Sequence, residues 1–386
     1  MKETKTLNSN KWYMAFRKKR IFIILLAPLA YILLLISQKS SYFAEMIFAR
    51  KIYKGIAYAV SFLTDKIPFS IMEVIIKLFL PVVLAGFVYL IFQLLKRRQK
   101  EKTAAYIFML SLINIGCIAS VIFFLYVITA GINYNRYSFA QISGYTLEKS
   151  SVQDLYELNK SLAVRAAEVR KLITEEGGAF TQDGAIIIDK SNWTDLVNAA
   201  AAAYEKIGTK YPQLEGNYKS VKAVSSSRVM SAMEITGIFW PFTMEANVNI
   251  DVPDYTIPAT MLHELAHLRG FMREDEANFI SYLVCSNSDD NVLKYSGLML
   301  ALAYVGNQLY QQSTEYYEQA RALYSEEMKA DLRENYYYWV QFEDTVISTA
   351  SSTLNDTYLK ANKQSDGVKS YGRMVDLLLA EFKAGE

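Results

Sequence analysis

TIPATMLHELAHLRG, residues 256–270, is the stretch from which the rest of the chain is read. Pro258 suits the first turn of a helix, where its missing N–H leaves no bond unmade, and Gly270 suits the end, where the backbone turns left-handed. Inside those limits His263 and His267 stand four apart, on one helical face. Two imidazoles so placed grip a single ion, and zinc is the metal that imidazole and carboxylate ligands at this spacing usually select. Glu264 leans toward the same opening, where a carboxylate can hold a water and take its proton as it attacks a carbonyl. The chain has only two histidines. Finding both at this spacing with Glu after the first has a chance probability on the order of a few in ten thousand.

A catalytic zinc needs a third protein ligand and an open position. The next segment, RGFMREDEANFISYLVC (269–285), turns at Gly270 and offers Glu274, Asp275 and Glu276 at the start of a second helix. In the register HExxHxxGxxH the third ligand falls on Arg273, which cannot bind a cation. Glu274 is the expected ligand and Glu276 the alternative. Asn278, one turn after Glu274, is placed to orient a histidine or the carboxylate.

HELAH followed by EDEANF resembles the gluzincin-type metallopeptidases, whose second motif reads ExxAD or ExEAN. The resemblance implies His263 and His267 as ligands, Glu264 as general base, Glu274 as third ligand and Asn278 behind them. Only six residues separate His267 from Glu274, fewer than in most gluzincins. The whole layout also resembles an uncharacterised family of bacterial membrane proteins with three N-terminal spans and the signatures HELAH, EDEANF and PFTxEAN, the last reading PFTMEAN at 241–247 here.

Toward the N-terminus the composition changes. Hydrophobic residues form 52% of the chain and crowd into its first third, so part of the protein belongs in lipid. Residues 21–37, 71–95 and 104–132 are each long enough to cross about 30 Å of hydrocarbon. The first lacks a small-residue cleavage site and reads as a retained anchor. Lys2, Lys5, Lys11, Arg17, Lys18, Lys19 and Arg20 precede it, and Lys96, Arg97, Arg98, Lys100 and Lys102 follow the second span. Cytoplasmic loops keep such charges, so the N-terminus is expected inside and everything after Asn133 outside. The segment FAEMIFARKIYKGIAYAVSFL (43–63) alternates apolar and basic faces at helical spacing and is taken as connecting structure, with a place in the membrane interface as the alternative. Glu73 and Lys77 can pair on one helix face, and Gly116 with Ser120 suits close packing.

Downstream, apolar spacing predicts helices over 151–175, stopped by Gly177 and Gly178, and over 191–207. A period of two between 234 and 251 predicts strands, with 244–250 lining a cleft and pairing with an extended peptide. Long Tyr-rich helical runs, notably 325–362, and a last helix near 368–383 follow. Tyr336, Tyr337, Tyr338 and Trp339 point all round their helix and are read as packing. Tyr371 and Arg373 are read mainly as packing residues, with an oxyanion role open if the last helix covers the cleft. Cys117 and Cys285 are not expected to pair. A net charge of +2 with interspersed signs gives no basic stripe, so nucleic acid is not an expected partner.

The expected fold is mainly α with a small β-sheet: three transmembrane helices in a membrane anchor over 1–133, then a zincin-like α+β metallopeptidase domain over 134–386. The expectation for function is a multi-pass protein of a bacterial cell membrane whose extracytoplasmic domain hydrolyses peptide or protein substrates with zinc and Glu264. The alternative is a receptor-like or scaffolding membrane protein whose zinc is structural or sensory. A transporter finds support only in Glu73 and Lys77 and is set aside.

Overall fold

The computed structural model describes residues 19–20, 22–96, 101–148, 151–343, 345–362 and 372–385. The protein is mainly helical with two small sheets, and it divides into two units. The first comprises Met1–Phe48 and Val74–Arg136, the second Ala49–Glu73 and Tyr137–Glu386.

In the first unit, three stretches are long and apolar enough to cross a membrane: Phe22–Lys39, Ile71–Phe92, whose first residues belong to the second unit, and Phe108–Thr129. Their large side chains point outward, with Phe79 and Leu80 more than half exposed, an arrangement that lipid favours and water does not. The third helix stops at Thr129, short of 132, because the chain tightens into a 3-10 turn over Gly131–Asn135. Arg136, just past that turn, donates through Nε (2.7 Å) and Nη2 (3.2 Å) to the buried carboxylate of Glu45. Lys2, Lys5, Lys11, Arg17, Lys18, Arg97, Arg98 and Lys100, which set the expected orientation, lie outside the described residues.

In the second unit the long helix Asn291–Gln312 packs against Val152–Glu175, Ile257–Leu268, Glu274–Ser286 and Gly372–Ala384. Val152–Glu175 starts at a capping box, in which Ser151 and Asp154 satisfy each other's backbone N–H, and Gly177 follows its end in the left-handed region (φ 83°). The expected helix over 191–207 is Trp193–Gly208. The run over 325–362 is two helices, Glu326–Val340 and Val346–Ala361, rather than one. A turn at 341–343 breaks it, and the Thr345 hydroxyl accepts from the Ser348 N–H (3.0 Å), starting the second helix.

Strands β1 (Ala179–Phe180) and β2 (Ile186–Ile187) form a hairpin, while β3 (Val221–Ala223), β4 (Gly237–Trp240) and β5 (Glu245–Val248) form a sheet ordered β3-β5-β4. β5 pairs parallel with β3 and antiparallel with β4, placing Gly237 opposite Val248 and Trp240 opposite Glu245. This corrects the expectation for 244–250. A middle strand with both edges paired has no hydrogen bonds left for a peptide. The open edge is that of β4, which among the described residues pairs on one side only.

The segment after the first span does more than connect. Residues 49–73 belong to the second unit. Lys222 Nζ donates to the carbonyls of Thr64 (2.8 Å) and Ile67 (2.6 Å), and Ser70 Oγ donates to Asn247 Oδ1 (2.5 Å). The Glu245 carboxylate accepts from the N–H groups of Ile71 and Met72, both at 3.0 Å, satisfying donors that a helix start leaves open. Glu73 in return accepts from the N–H and hydroxyl groups of Ser225 and Ser226. Glu245 and Asn247 of PFTMEAN therefore hold the start of the helix Ile71–Lys96 on the sheet.

Candidate metal centre

The helix Ile257–Leu268 carries Pro258 in its first turn and is buried along almost its whole length. Its open first N–H groups find partners: Ala259 N–H donates to Ser296 Oγ (2.9 Å). Gly270, at φ 86°, ends it. Phe271 N–H then returns to the Ala266 carbonyl (3.1 Å) and Gly270 N–H to that of His267 (2.8 Å), the paired bonds of a Schellman turn. This termination brings the Phe271 carbonyl to 2.7 Å from His267 Nδ1. A carbonyl there fixes the proton on Nδ1 and leaves Nε2 as a donor for a metal.

The same turn sets the start of the second helix, Glu274–Ser286, in which Glu274 occupies the first turn and suits the positive helix end. Ser281 Oγ ties the two helices by donating to the Ala259 carbonyl (2.6 Å). His263 Nε2 lies 3.2 Å from one Glu274 oxygen and His267 Nε2 lies 3.4 Å from the other. The donor atoms of His263, His267 and Glu274 all fall within 4.8 Å of one another. A tetrahedral ion about 2.0–2.1 Å from each ligand keeps its ligands roughly 3.4 Å apart, so the three side chains fit one ion.

Glu276 is directed elsewhere, accepting from the Phe139 N–H (2.8 Å) and Arg273 Nη2 (2.6 Å). Between the two carboxylates left open by the motif, Glu274 is the one beside the imidazoles. Asn278 donates from Nδ2 to the Tyr304 hydroxyl (3.1 Å) on the helix Asn291–Gln312. Arg373 Nε lies 3.5 Å from the Asp275 carboxylate, and Tyr371 lies outside the described residues. Cys117 and Cys285 are both free and buried.

Electrostatics in the cluster follow from burial. Glu264 is 4% exposed, and burial pushes its carboxyl up, against the opposing pull of His263 and His267. Burial alone lowers the His267 imidazole, but Glu274, by charge and hydrogen bond, and then Glu264 outweigh it and push it up to about 9. Glu274 is held well below the usual carboxylate range: burial raises it, and the two imidazoles more than reverse that.

Three residues at this site escape motif reading. Gly237 on β4 packs so closely on Glu264 that a Cβ there would collide with the carboxylate and with Thr260, while the N–H of Phe239, two residues on, donates to Glu264. A glycine inside a strand pattern is the sequence signal for such an approach. Tyr53 donates from its hydroxyl to the carbonyls of Leu268 (3.1 Å) and His267 (3.3 Å), filling acceptors at the helix end. Arg269 is buried with its guanidinium on Tyr204 (3.5 Å to the ring centre) and donates to the carbonyls of Leu214 (2.7 Å) and Gly216 (2.6 Å), tying that end to a loop.

Residues 48–379 match the family described as protein of unknown function (DUF3810), and the chain belongs to that family. No curated protein and no solved structure matches it.

Proposed function

We propose that this DUF3810 member is a membrane-anchored zinc metallopeptidase of zincin-like build, with His263, His267 and Glu274 as ligands and Glu264 as general base. The observation that carries the reading is the convergence of three donor atoms within 4.8 Å beside a buried carboxylate that is not one of them. A purely structural site has no need of that fourth group.

Zinc, when bound, supplies the Lewis acidity that makes a water nucleophilic near neutral pH and polarises the scissile carbonyl. Glu264 takes the proton of that water and returns it to the leaving amine. Its raised carboxyl suits a group that must both accept and release a proton. The Phe239 N–H and the backbone at Gly237 hold the carboxylate in place. Among the described residues β4 pairs on one side only, and apart from the Phe239 N–H that Glu264 takes its outer main-chain groups are proposed to bond an extended polypeptide, which makes peptides or proteins the substrate class. The proposed topology has the N-terminus in the cytoplasm and the unit built from 49–73 and the chain beyond 134 on the outer side.

The test is cleavage of a casein-like mixture by the full-length protein in detergent or nanodiscs, wild type against Glu264→Gln. Zinc-dependent cleavage that disappears in the variant supports the reading. Zinc retention without cleavage of any peptide pool by the wild type favours a structural or sensory zinc.

A further inference from the structure

The helix Lys54–Thr64, between the first two apolar spans, has its polarity inside out. Facing the protein are Ala57, Ser61 and Thr64, all buried. Facing away, at spacings of three and four, are Tyr58 (63% exposed), Phe62 (52%) and Leu63 (64%), with Ile52 (47%) before the helix and Phe69 (55%) after it. Gly55 and Ala59 complete the outward stripe, and Lys54 at its edge turns its half-exposed ammonium to the Glu215 carboxylate (2.9 Å). A helix that meets water puts its polar residues on this face.

Two features say what covers it. Ile71 begins the second candidate span, and residues 65–70 reach at most about 20 Å even when fully extended. The helix end therefore lies close to where the chain enters hydrocarbon. Lys51 and Lys66 bracket the stripe, and Lys66 Nζ sits 4.0 Å from the Phe62 ring centre. Lysines so placed lay their stems along apolar surface and keep the ammonium at headgroup level. Residues 52–63 extend about 18 Å, short of the roughly 30 Å needed to cross, so the stripe lies along the surface.

We infer that Lys54–Thr64 is an interfacial helix, with Tyr58, Phe62, Leu63 and the flanking Ile52 and Phe69 immersed at the boundary between lipid headgroups and acyl chains. Tyr53, immediately before it, bonds the last carbonyls of the helix that carries His263 and His267. Tyr53 thereby ties that helix to Lys54–Thr64. The inference does not depend on the peptidase reading.

The experiment uses full-length protein in phospholipid nanodiscs, which expose both membrane faces. An environment-sensitive fluorophore is attached at Phe62→Cys, Leu63→Cys or, as control, Tyr337→Cys, an exposed position (69%) on another helix. Wild-type protein with its two buried thiols gives the background. Labels at 62 and 63 are expected to be quenched several-fold more by spin-labelled lipid than the label at 337, and several-fold less by aqueous iodide. Equal iodide quenching at all three positions would overturn the inference. Protection from iodide without quenching by lipid would also overturn it, assigning the stripe to a protein partner.

Discussion

Asp331 and Glu264 are both carboxylates buried in the second unit, and their surroundings differ. Asp331 receives Arg170 Nε (2.9 Å) and the Tyr295 hydroxyl (2.6 Å) on one oxygen, and the Ile186 N–H (2.7 Å) on the other. One cation faces one anion and each oxygen is bonded, so the pair stiffens the junction of the helices Val152–Glu175, Asn291–Gln312 and Glu326–Val340 with the β1–β2 hairpin. Glu264 faces two imidazoles and a second carboxylate. Among the described residues no lysine or arginine is paired with it. Glu274 and Glu264 push the His267 imidazole up to about 9, so a proton is the counter-charge here, and in the proposed reading a divalent ion takes its place. The difference is between a carboxylate fixed by a permanently charged guanidinium and one surrounded only by groups that titrate, the surroundings that the proposed metal site requires.

The sharpest way to break the comparison is to neutralise each carboxylate in turn. Glu264→Gln is expected to lower peptidase turnover by about 10³-fold or more with zinc retained. Its thermal stability should hold or rise, because a destabilising buried charge is gone. Asp331→Ala should do the reverse, costing about 3–5 kcal/mol in denaturant unfolding by stranding the buried Arg170, with zinc stoichiometry unchanged in the folded fraction. If both variants lose stability alike, the distinction fails.

Gly237→Ala tests whether the proposed general base is held by backbone contact. A new methyl must displace the Glu264 carboxylate, and a shift of about 1 Å is worth on the order of 10²-fold in kcat, with zinc binding retained. A smaller effect is expected from Tyr53→Phe: the Leu268 carbonyl loses the tyrosine donor while that of His267 keeps the Gly270 N–H, costing about 1 kcal/mol of stability and weakening zinc binding only slightly by equilibrium dialysis. Glu276→Gln, which weakens the bond from Arg273 but touches no expected ligand, should leave zinc affinity at the wild-type value.

What was legible in the sequence is what depends on neighbours along the chain. Pro258 and Gly270 bounded the key helix, the spacing of His263 and His267 put them on one face, and Glu274 followed one turn beyond the glycine. The three apolar stretches ended within a few residues of where length and composition put them. The rest depends on residues far apart in the chain. Glu245 meets Ile71, Asn247 meets Ser70 and Tyr53 meets His267 across more than 170 residues in every case, and no periodicity encodes such pairings. β3, three residues long and parallel to β5, is too short to show an alternation. Its presence makes β5 the central strand and moves the open edge to β4. The same long-range contacts make residues 49–73 part of the unit that bears the candidate site, so the full chain is the form to assay.

The most direct test is the metal content of purified full-length protein, determined by mass spectrometry after exchange into chelator-treated buffer, for wild type and His267→Ala. Wild type should carry about one zinc per chain, the capacity of a single three-ligand site, and His267→Ala should carry almost none while keeping its helical circular dichroism. Wild type without zinc after loading, or His267→Ala retaining it in full, would contradict the account.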